Sequence, residues 1–345
     1  MFKFIKLLFL LVMVVGVVGS FFLYQEYQRV MQQNINRLDH PVYEIKRGVS
    51  FSRVAQDLED KKIIKSAQAL RLYARLQPQH AQIKAGEYSL DKDMTPIGLL
   101  KLFNSGKAVQ YKHTIIEGQS YKELVKSIQS NSSIRQTLSD ADYKDYSSLM
   151  AKIGSEYLHP EGAFLADTYL FPKNTTDVEF LKRSHKSLRD HLQAEWENRS
   201  EASSVLETPY QALILSSIVE KETGYEGERP MIARVFINRL NRKMLLQTDP
   251  TVIYGMGERF KGNIRRSDLR RDTPYNTYTR AGLPPTPIAT PGRKAIKAVL
   301  HPVEGKALYF VAKGDGTSYF SETLAEHERA VTKYQRNGRP RRRSK

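Results

Sequence analysis

Two carboxylates lead the side chains whose type and spacing could do chemistry. Glu220 and Glu222 sit in Tyr210-Gln-Ala-Leu-Ile-Leu-Ser-Ser-Ile-Val-Glu220-Lys-Glu222-Thr-Gly224. Thr208-Pro209 before them gives an N-cap followed by proline at the first helical position, so the segment is predicted helical. At about 100° per residue, Ile214, Leu215, Ile218 and Val219 share an apolar arc. Ser216, Ser217, Glu220 and Thr223 fall on the other side with Leu213. Glu220 would then project from a mostly buried helix, beside small residues that leave room. A carboxyl group held against an apolar wall has a raised pKa and stays protonated near neutrality, as a general acid must. The alternative is a structural glutamate near a helix end, paired with Arg229 or Arg234. Glu222 is the rival carboxylate. It falls within the apolar arc, so it must be paired or lie at the frayed end of the helix.

Other chemistries lack their residues. None of the eight histidines is two to four residues from another, and His185 and His191 are the closest pair, so a helix-borne metal motif is absent. Neither a Gly-x-Ser-x-Gly elbow nor a phosphate-binding loop occurs. Gly255-Met-Gly257 reads as a turn. Cysteine is absent, which excludes a disulfide scaffold, a zinc ribbon, a thiolate iron–sulfur site and a cysteine nucleophile. Downstream of the carboxylates come polar and aromatic loops, including Asp272-Thr-Pro-Tyr275-Asn276-Thr-Tyr278. Tyrosine and asparagine on loops near an acid suit sugar rings, since aromatic faces stack on them and amides bond their hydroxyls. The alternative is that these loops only cover the core.

The elements that must position these residues can be read from periodicity. Arg229 to Leu240 forms a second amphipathic helix through Ile232, Val235, Phe236 and Leu240, and Asp249-Pro250 reads as the N-cap of a short one. A polar amphipathic helix is expected from about 178 to 199. The amino-terminal half carries a repeat: Ile45-Lys-Arg-Gly48-Val-Ser50-Phe51 and Ile115-Ile-Glu-Gly118-Gln-Ser120-Tyr121 match at an offset of seventy residues. Each copy is a short strand, a glycine turn, a serine N-cap and an amphipathic helix. The first continues with a helix from Ser66 to Leu76 and a strand at Gly86–Leu90. Strand, helix, helix, strand with a Gly-x-Ser turn resembles the LysM module, which binds N-acetyl sugars. The same junction also occurs with no ligand at all.

Leu7 to Leu23 is a run of seventeen residues without a charge, and extending it to Phe4 and Tyr24 gives the length a helix needs to cross a bilayer. Lys3 and Lys6 precede it, which predicts a cytoplasmic amino terminus and an exported body. Val17-Val18-Gly19 is a poor cleavage site, favouring an uncleaved anchor over a signal peptide. The chain has 345 residues, 40% hydrophobic and 26% charged, enough for ordinary cores. Its net charge of +17 favours an anionic partner: nucleic acid, lipid head groups or an acidic polymer. An exported body argues against nucleic acid.

Ile218-Val-Glu-Lys-Glu-Thr223, Val235-Phe-Ile-Asn-Arg-Leu240, Leu246-Gln-Thr-Asp-Pro-Thr-Val-Ile-Tyr-Gly255, Tyr275-Asn-Thr-Tyr278 and Gly282-Leu-Pro-Pro…Ile288-Ala-Thr-Pro-Gly292 resemble the endolytic murein transglycosylases, the MltG (YceG-like) family. Pro160-Glu-Gly…Asp167-Thr-Tyr…Phe171-Pro172 is similar to that family's pattern too. The resemblance implies an α+β chain: a transmembrane anchor at 1–25, a stalk at 26–42, a LysM-like subdomain at 43–110, a connecting region at 111–204, a mixed α/β catalytic domain at 205–335 and a basic tail at 336–345. It implies a single-pass inner-membrane protein whose periplasmic body cleaves peptidoglycan glycan strands internally and leaves 1,6-anhydro ends. Glu220 is the implied catalytic acid, with no metal or cofactor. The loops from 247 to 292 are the expected groove walls, with Gln247, Asn276 and Tyr278 as sugar contacts. A bifunctional penicillin-binding protein is the suggested partner. A wall-binding scaffold without catalysis is the competing reading.

Overall fold

The computed structural model describes residues 2–37 and 39–336, so nearly all of the basic tail expected at 336–345 lies outside the described residues. The chain is mixed α/β and divides into two units, residues 1–111 with 170–174, and residues 112–169 with 175–345.

The first unit begins with α1 (Phe2–Gln32), among the described residues the one helix long and apolar enough to cross a membrane. Its side chains from Leu7 to Tyr24 are exposed, whereas Met31, and Ile35 just after the helix, are buried in the unit's core. Next come β1 (Val42–Ile45), α2 (Phe51–Asp60), α3 (Ala67–Leu76), β2 (Gly86–Ser89) and α4 (Pro96–Ser105). β1 and β2 pair antiparallel from Val42↔Ser89 to Ile45↔Gly86. Ser50, Ser66 and Thr95 cap the three short helices by accepting from backbone N–H groups three residues on, each worth about 1 kcal/mol. Leu58, Leu70, Tyr88, Leu99 and Phe103 belong to the core that the helices and this strand pair share.

The second unit holds most of β3 (Gln110–Thr114), then α5 (Tyr121–Gln129), β4 (Ile134–Arg135), α6 (Asp140–Lys144) and α7 (Tyr146–Lys152). The repeat seen in the sequence is real. Gly48 and Gly118 both adopt left-handed φ, 79° and 74°, and Ser50 and Ser120 both cap the following helix. Of β5 (Thr168–Pro172) only the first two residues belong to this unit; β6 (Thr175–Thr176), which runs parallel to β4, and α8 (Asp177–Glu197) come next. Then follow α9 (Pro209–Glu222), α10 (Arg229–Asn241), α11 (Asp249–Met256), α12 (Arg266–Arg270), α13 (Arg293–Leu300), β7 (Tyr309–Ala312), β8 (Ser318–Ser321) and α14 (Leu324–Val331). β7 and β8 form an antiparallel hairpin.

α9 is the central post of this unit, with α8, α10, α11 and α13 packed around it. Every residue from Ala212 to Glu220 is buried. The expected polar side of α9 therefore does not exist. The Ser216 hydroxyl donates to Ala212 O at 2.7 Å, and Ser217 donates to Ile214 O at 2.7 Å while accepting from Ile288 N at 2.9 Å. Both serines satisfy themselves within a helix enclosed on all sides, the usual state of a helix apolar all round.

Candidate active site

Glu220 and Glu222 are two residues apart on α9, about 200° around the helix, and so point to different surroundings. Their environments differ in kind. The Glu220 side chain is only 4% exposed, and Arg229 Nη2 donates to its Oε1 at 2.6 Å. The Gly292 N–H donates to its Oε2 at 2.9 Å. Glu117 shares the same Nη2 with Glu220, at 3.5 Å. Burial pushes the Glu220 carboxyl above its usual range; the Gly292 N–H and Arg229 work against it, and the like charge of Glu117 adds to the rise. Glu220 thus meets Arg229, one of the two partners named in the alternative reading, while its carboxyl stays raised, as a general acid requires. Arg234 is not the partner; its Nε donates to Val303 O at 2.5 Å.

Glu222 ends α9 at the wall of a cleft of about 620 Å³. Glu220 is not among the residues lining it. Burial drives the Glu222 carboxyl up to about 7, the Thr248 hydroxyl bonded to Oε1 holds it down, and Asp249 adds a like charge that raises it. The negative end of the helix dipole acts in the same direction as Asp249. No cation pairs with Glu222 among the described residues. A carboxyl group near half-protonation at neutral pH, with a cleft in front of it, can both give and take a proton.

The neighbours are held by a small network. Thr248 N donates to Thr277 Oγ1 at 3.1 Å, the Thr251 and Thr277 hydroxyls bond at 2.9 Å, and Thr251 Oγ1 donates to Thr248 O at 2.7 Å. These three threonines are buried and fix the hydroxyl that meets Glu222. Asp249 lies in the first turn of α11 rather than capping it; Thr248 is the N-cap, and Asp249 Oδ1 accepts from Tyr278 OH at 2.6 Å.

Of the three expected sugar contacts, Gln247 and Tyr278 line the cleft beside Glu222. Gln247 takes a left-handed φ of 51°, and Arg239 Nη1 donates to its Oε1 at 3.4 Å. Asn276 is a correction. It is buried, its amide nitrogen donates to Leu269 O at 3.0 Å and Arg271 O at 2.7 Å, and its Oδ1 accepts from Tyr278 N at 2.9 Å. A buried amide engaged with its own loop is not presented to a sugar. It holds the segment that presents Tyr278.

The opposite walls were not legible beforehand. They are Arg239 on α10, Tyr309 and Phe310 on β7, and Leu324 and His327 on α14. Arg239 Nε donates to Leu308 O at 2.7 Å, and its Nη1 to Leu246 O at 2.9 Å, with the guanidinium 5.1 Å from the Tyr309 ring centre. Tyr309 stacks in turn on His327. A tyrosine–arginine–histidine wall facing a carboxylic acid has the aromatic and polar makeup of a carbohydrate groove. Arg239 lies in the Val-Phe-Ile-Asn-Arg-Leu motif, which marks its position but not its direction. A further carboxyl pushed up to about 7 by burial, Glu161, accepts from Tyr121 N at 2.8 Å and from Tyr254 OH at 3.1 Å. It ties α5 to α11 and does not line the cleft. Among the described residues no group of side chains is suited to hold a metal ion.

Similarity to known proteins agrees with the motifs. The endolytic murein transglycosylase of Bacillus subtilis is 32% identical over 305 residues, covering 84% of this chain and 83% of the relative. The protein of the same name from Streptococcus pneumoniae is 27% identical over 346 residues, and the matched part spans 92% of this chain but only 62% of that longer relative. The crystal structure of a yceG-like protein from Listeria monocytogenes, 32% identical, superposes over 84% of this chain and 98% of its own with a TM-score of 0.51. The model of the YceG-like family matches residues 43–333, nearly all of the chain beyond α1, and this chain belongs to that family.

Proposed function

We propose that the protein is an endolytic peptidoglycan lytic transglycosylase in which Glu222 serves as both acid and base. The observation that carries this reading is the place of Glu222 on the wall of an open cleft, its carboxyl raised by burial and no cation beside it to hold it ionised. The name borne by the Bacillus and Streptococcus relatives supplies the substrate class.

Hydrolytic glycosidases normally need two carboxylates, one to protonate the leaving oxygen and one to attack or to activate water. A lytic transglycosylase needs only one. Protonated Glu222 gives its proton to the oxygen bridging N-acetylmuramic acid and N-acetylglucosamine. The carboxylate so formed takes the proton of the muramic C6 hydroxyl as that oxygen attacks C1 of its own ring. The strand is cut, a 1,6-anhydro end forms, and Glu222 is again protonated. The nucleophile belongs to the substrate and is already beside its target, so proximity supplies much of the rate. Thr248 holds one carboxyl oxygen and leaves the other for the sugar. Gln247 and Tyr278 serve as sugar contacts.

The order β1, α2, α3, β2, with its antiparallel pair, supports a LysM-like subdomain at 43–110 within the divisions expected from the sequence. The length and apolarity of α1 support a single-pass anchor. We read its amino terminus as cytoplasmic and the body as periplasmic, beside the inner membrane where strands are made, with a bifunctional penicillin-binding protein as the supplying synthase. The test of the acid is paired: Glu222→Gln and Glu220→Gln are incubated with purified glycan strands. Loss of anhydro products by at least about a thousandfold in folded Glu222→Gln supports the assignment. Full activity in that variant, with loss in a folded Glu220→Gln, returns the role to Glu220.

A further inference from the structure

A pocket of about 510 Å³ opens in the first unit where α1 enters its core. Its wall carries Arg37, Lys62, Lys65 and Lys92, and no aspartate or glutamate. The three lysines are exposed and form no ion pair among the described residues. Arg37 spends Nη1 on Leu90 O at 3.3 Å. Asp91 and Asp93 flank Lys92 in sequence but are not part of the wall.

The frame of this pocket is stitched by backbone hydrogen bonds. Ile35 N donates to Met94 O at 2.8 Å, Asn36 N to Ile63 O at 2.9 Å, and Ile63 N to Leu58 O at 2.9 Å. Ile63 and Ile64 are buried, so the lysines on either side of them are turned outward. Lys62 is fixed there in a left-handed conformation, φ 57°. Four cations thus line one pocket whose wall holds no carboxylate, and an anion is the missing partner.

The position of the pocket says which anion. The apolar stretch of α1 ends at Tyr24, and Val30 and Gln33 line the pocket. At about 1.5 Å per residue, Val30 lies roughly 9 Å beyond that stretch, at the outer edge of a headgroup layer about 5–8 Å deep, within a lysine's reach. Above it the exposed apolar flank of α1 offers a track for acyl chains. We propose that this pocket is a binding site for the headgroup phosphate of an anionic phospholipid, seating the first unit against the bilayer surface. It depends on α1 lying in the membrane and is independent of the chemistry assigned to Glu222.

The test uses the full chain in neutral detergent, observed by native mass spectrometry. It is titrated with phosphatidylglycerol, with phosphatidylcholine of matched chains, and with inorganic phosphate. One phosphatidylglycerol is retained per chain in preference to phosphatidylcholine. Lys62→Asn with Lys65→Gln weakens that binding by about twenty-fivefold, at roughly fivefold per charge, while Lys306→Gln with Lys313→Gln in the second unit leaves it unchanged. Asparagine tolerates the left-handed backbone at position 62. Equal retention of both lipids, or unchanged phosphatidylglycerol binding in the pocket variant, overturns the site. Displacement of the lipid by equimolar inorganic phosphate makes it a site for soluble anions and overturns the lipid assignment. Flotation of the same protein with vesicles of pure phosphatidylcholine checks the anchor separately; failure to float removes the premise rather than the pocket's preference.

Discussion

Replacing Glu222 by glutamine should make the protein more stable and inactive, whereas the same replacement at Glu220 should damage the fold. Burial raises the Glu222 carboxyl from 4.5 to about 7, so between those pH values the folded chain holds a proton that the unfolded chain has lost. The folded state then binds more protons, and stability falls as pH rises through this window. Each pKa unit corresponds to about 1.4 kcal/mol, so above pH 7 the ionised glutamate costs the folded state about 3 kcal/mol. Glutamine is neutral throughout and can still accept from Thr248. Glu222→Gln should therefore gain about 3 kcal/mol at pH 8, and nothing at pH 4, where the wild type is protonated in both states. For units of this size the gain corresponds to a melting temperature higher by about 5–10 °C. Glu220→Gln removes the anion from a buried ion pair and leaves Arg229 poorly compensated, a loss of about 3 kcal/mol. Thermal unfolding in detergent at pH 4, 6 and 8 separates the two. A Glu222→Gln protein no more stable than the wild type at pH 8 would refute the picture of a desolvated, unpaired acid.

Three further outcomes follow from the same geometry. The rate constant kcat/KM should fall as pH rises through about 7, because the acid must begin protonated; in Thr248→Val the carboxylate loses a hydrogen bond worth about 1.5–3 kcal/mol, and the falling limb should move upward by roughly one to two pH units, read from pH–rate profiles. Tyr278→Phe frees Asp249 and removes a cleft hydroxyl, and should raise KM by about five- to tenfold while melting little below the wild type, measured by steady-state kinetics on solubilised strands. Asn276→Ala leaves backbone carbonyls of its loop unsatisfied and should cost about 2–4 kcal/mol, visible as a lower melting temperature and not as a change in KM of the folded fraction.

Local grammar made the elements legible. Thr208-Pro209 does open α9, Ser50 and Ser120 do cap matching helices, and the glycines between strand and helix do take positive φ. What one chain segment cannot disclose is which of its faces a distant segment will cover. The serines of α9 suggested an open side, but the loop at Ile288 closes over Ser217 and Gly292 reaches Glu220 from another part of the chain. Periodicity puts Glu222 within the apolar arc, where a carboxylate must be paired or lie at the frayed end of the helix. That arc runs out at the last residue of the helix, where the cleft begins. Asn276 illustrates a different limit: a polar side chain on a loop looks the same in sequence whether it serves a ligand or its own backbone. The far wall, from Tyr309 and His327, depends on a hairpin and a helix whose direction no motif encodes.

Mass spectrometry of the products from intact glycan strands bears most directly on a single carboxyl group acting twice while the sugar closes on itself. Internal fragments ending in 1,6-anhydro-N-acetylmuramic acid, absent when position 222 is glutamine, are the expected result. Fragments with reducing ends, each heavier by one water, would mean that an activated water attacks instead and that a second carboxylate takes part.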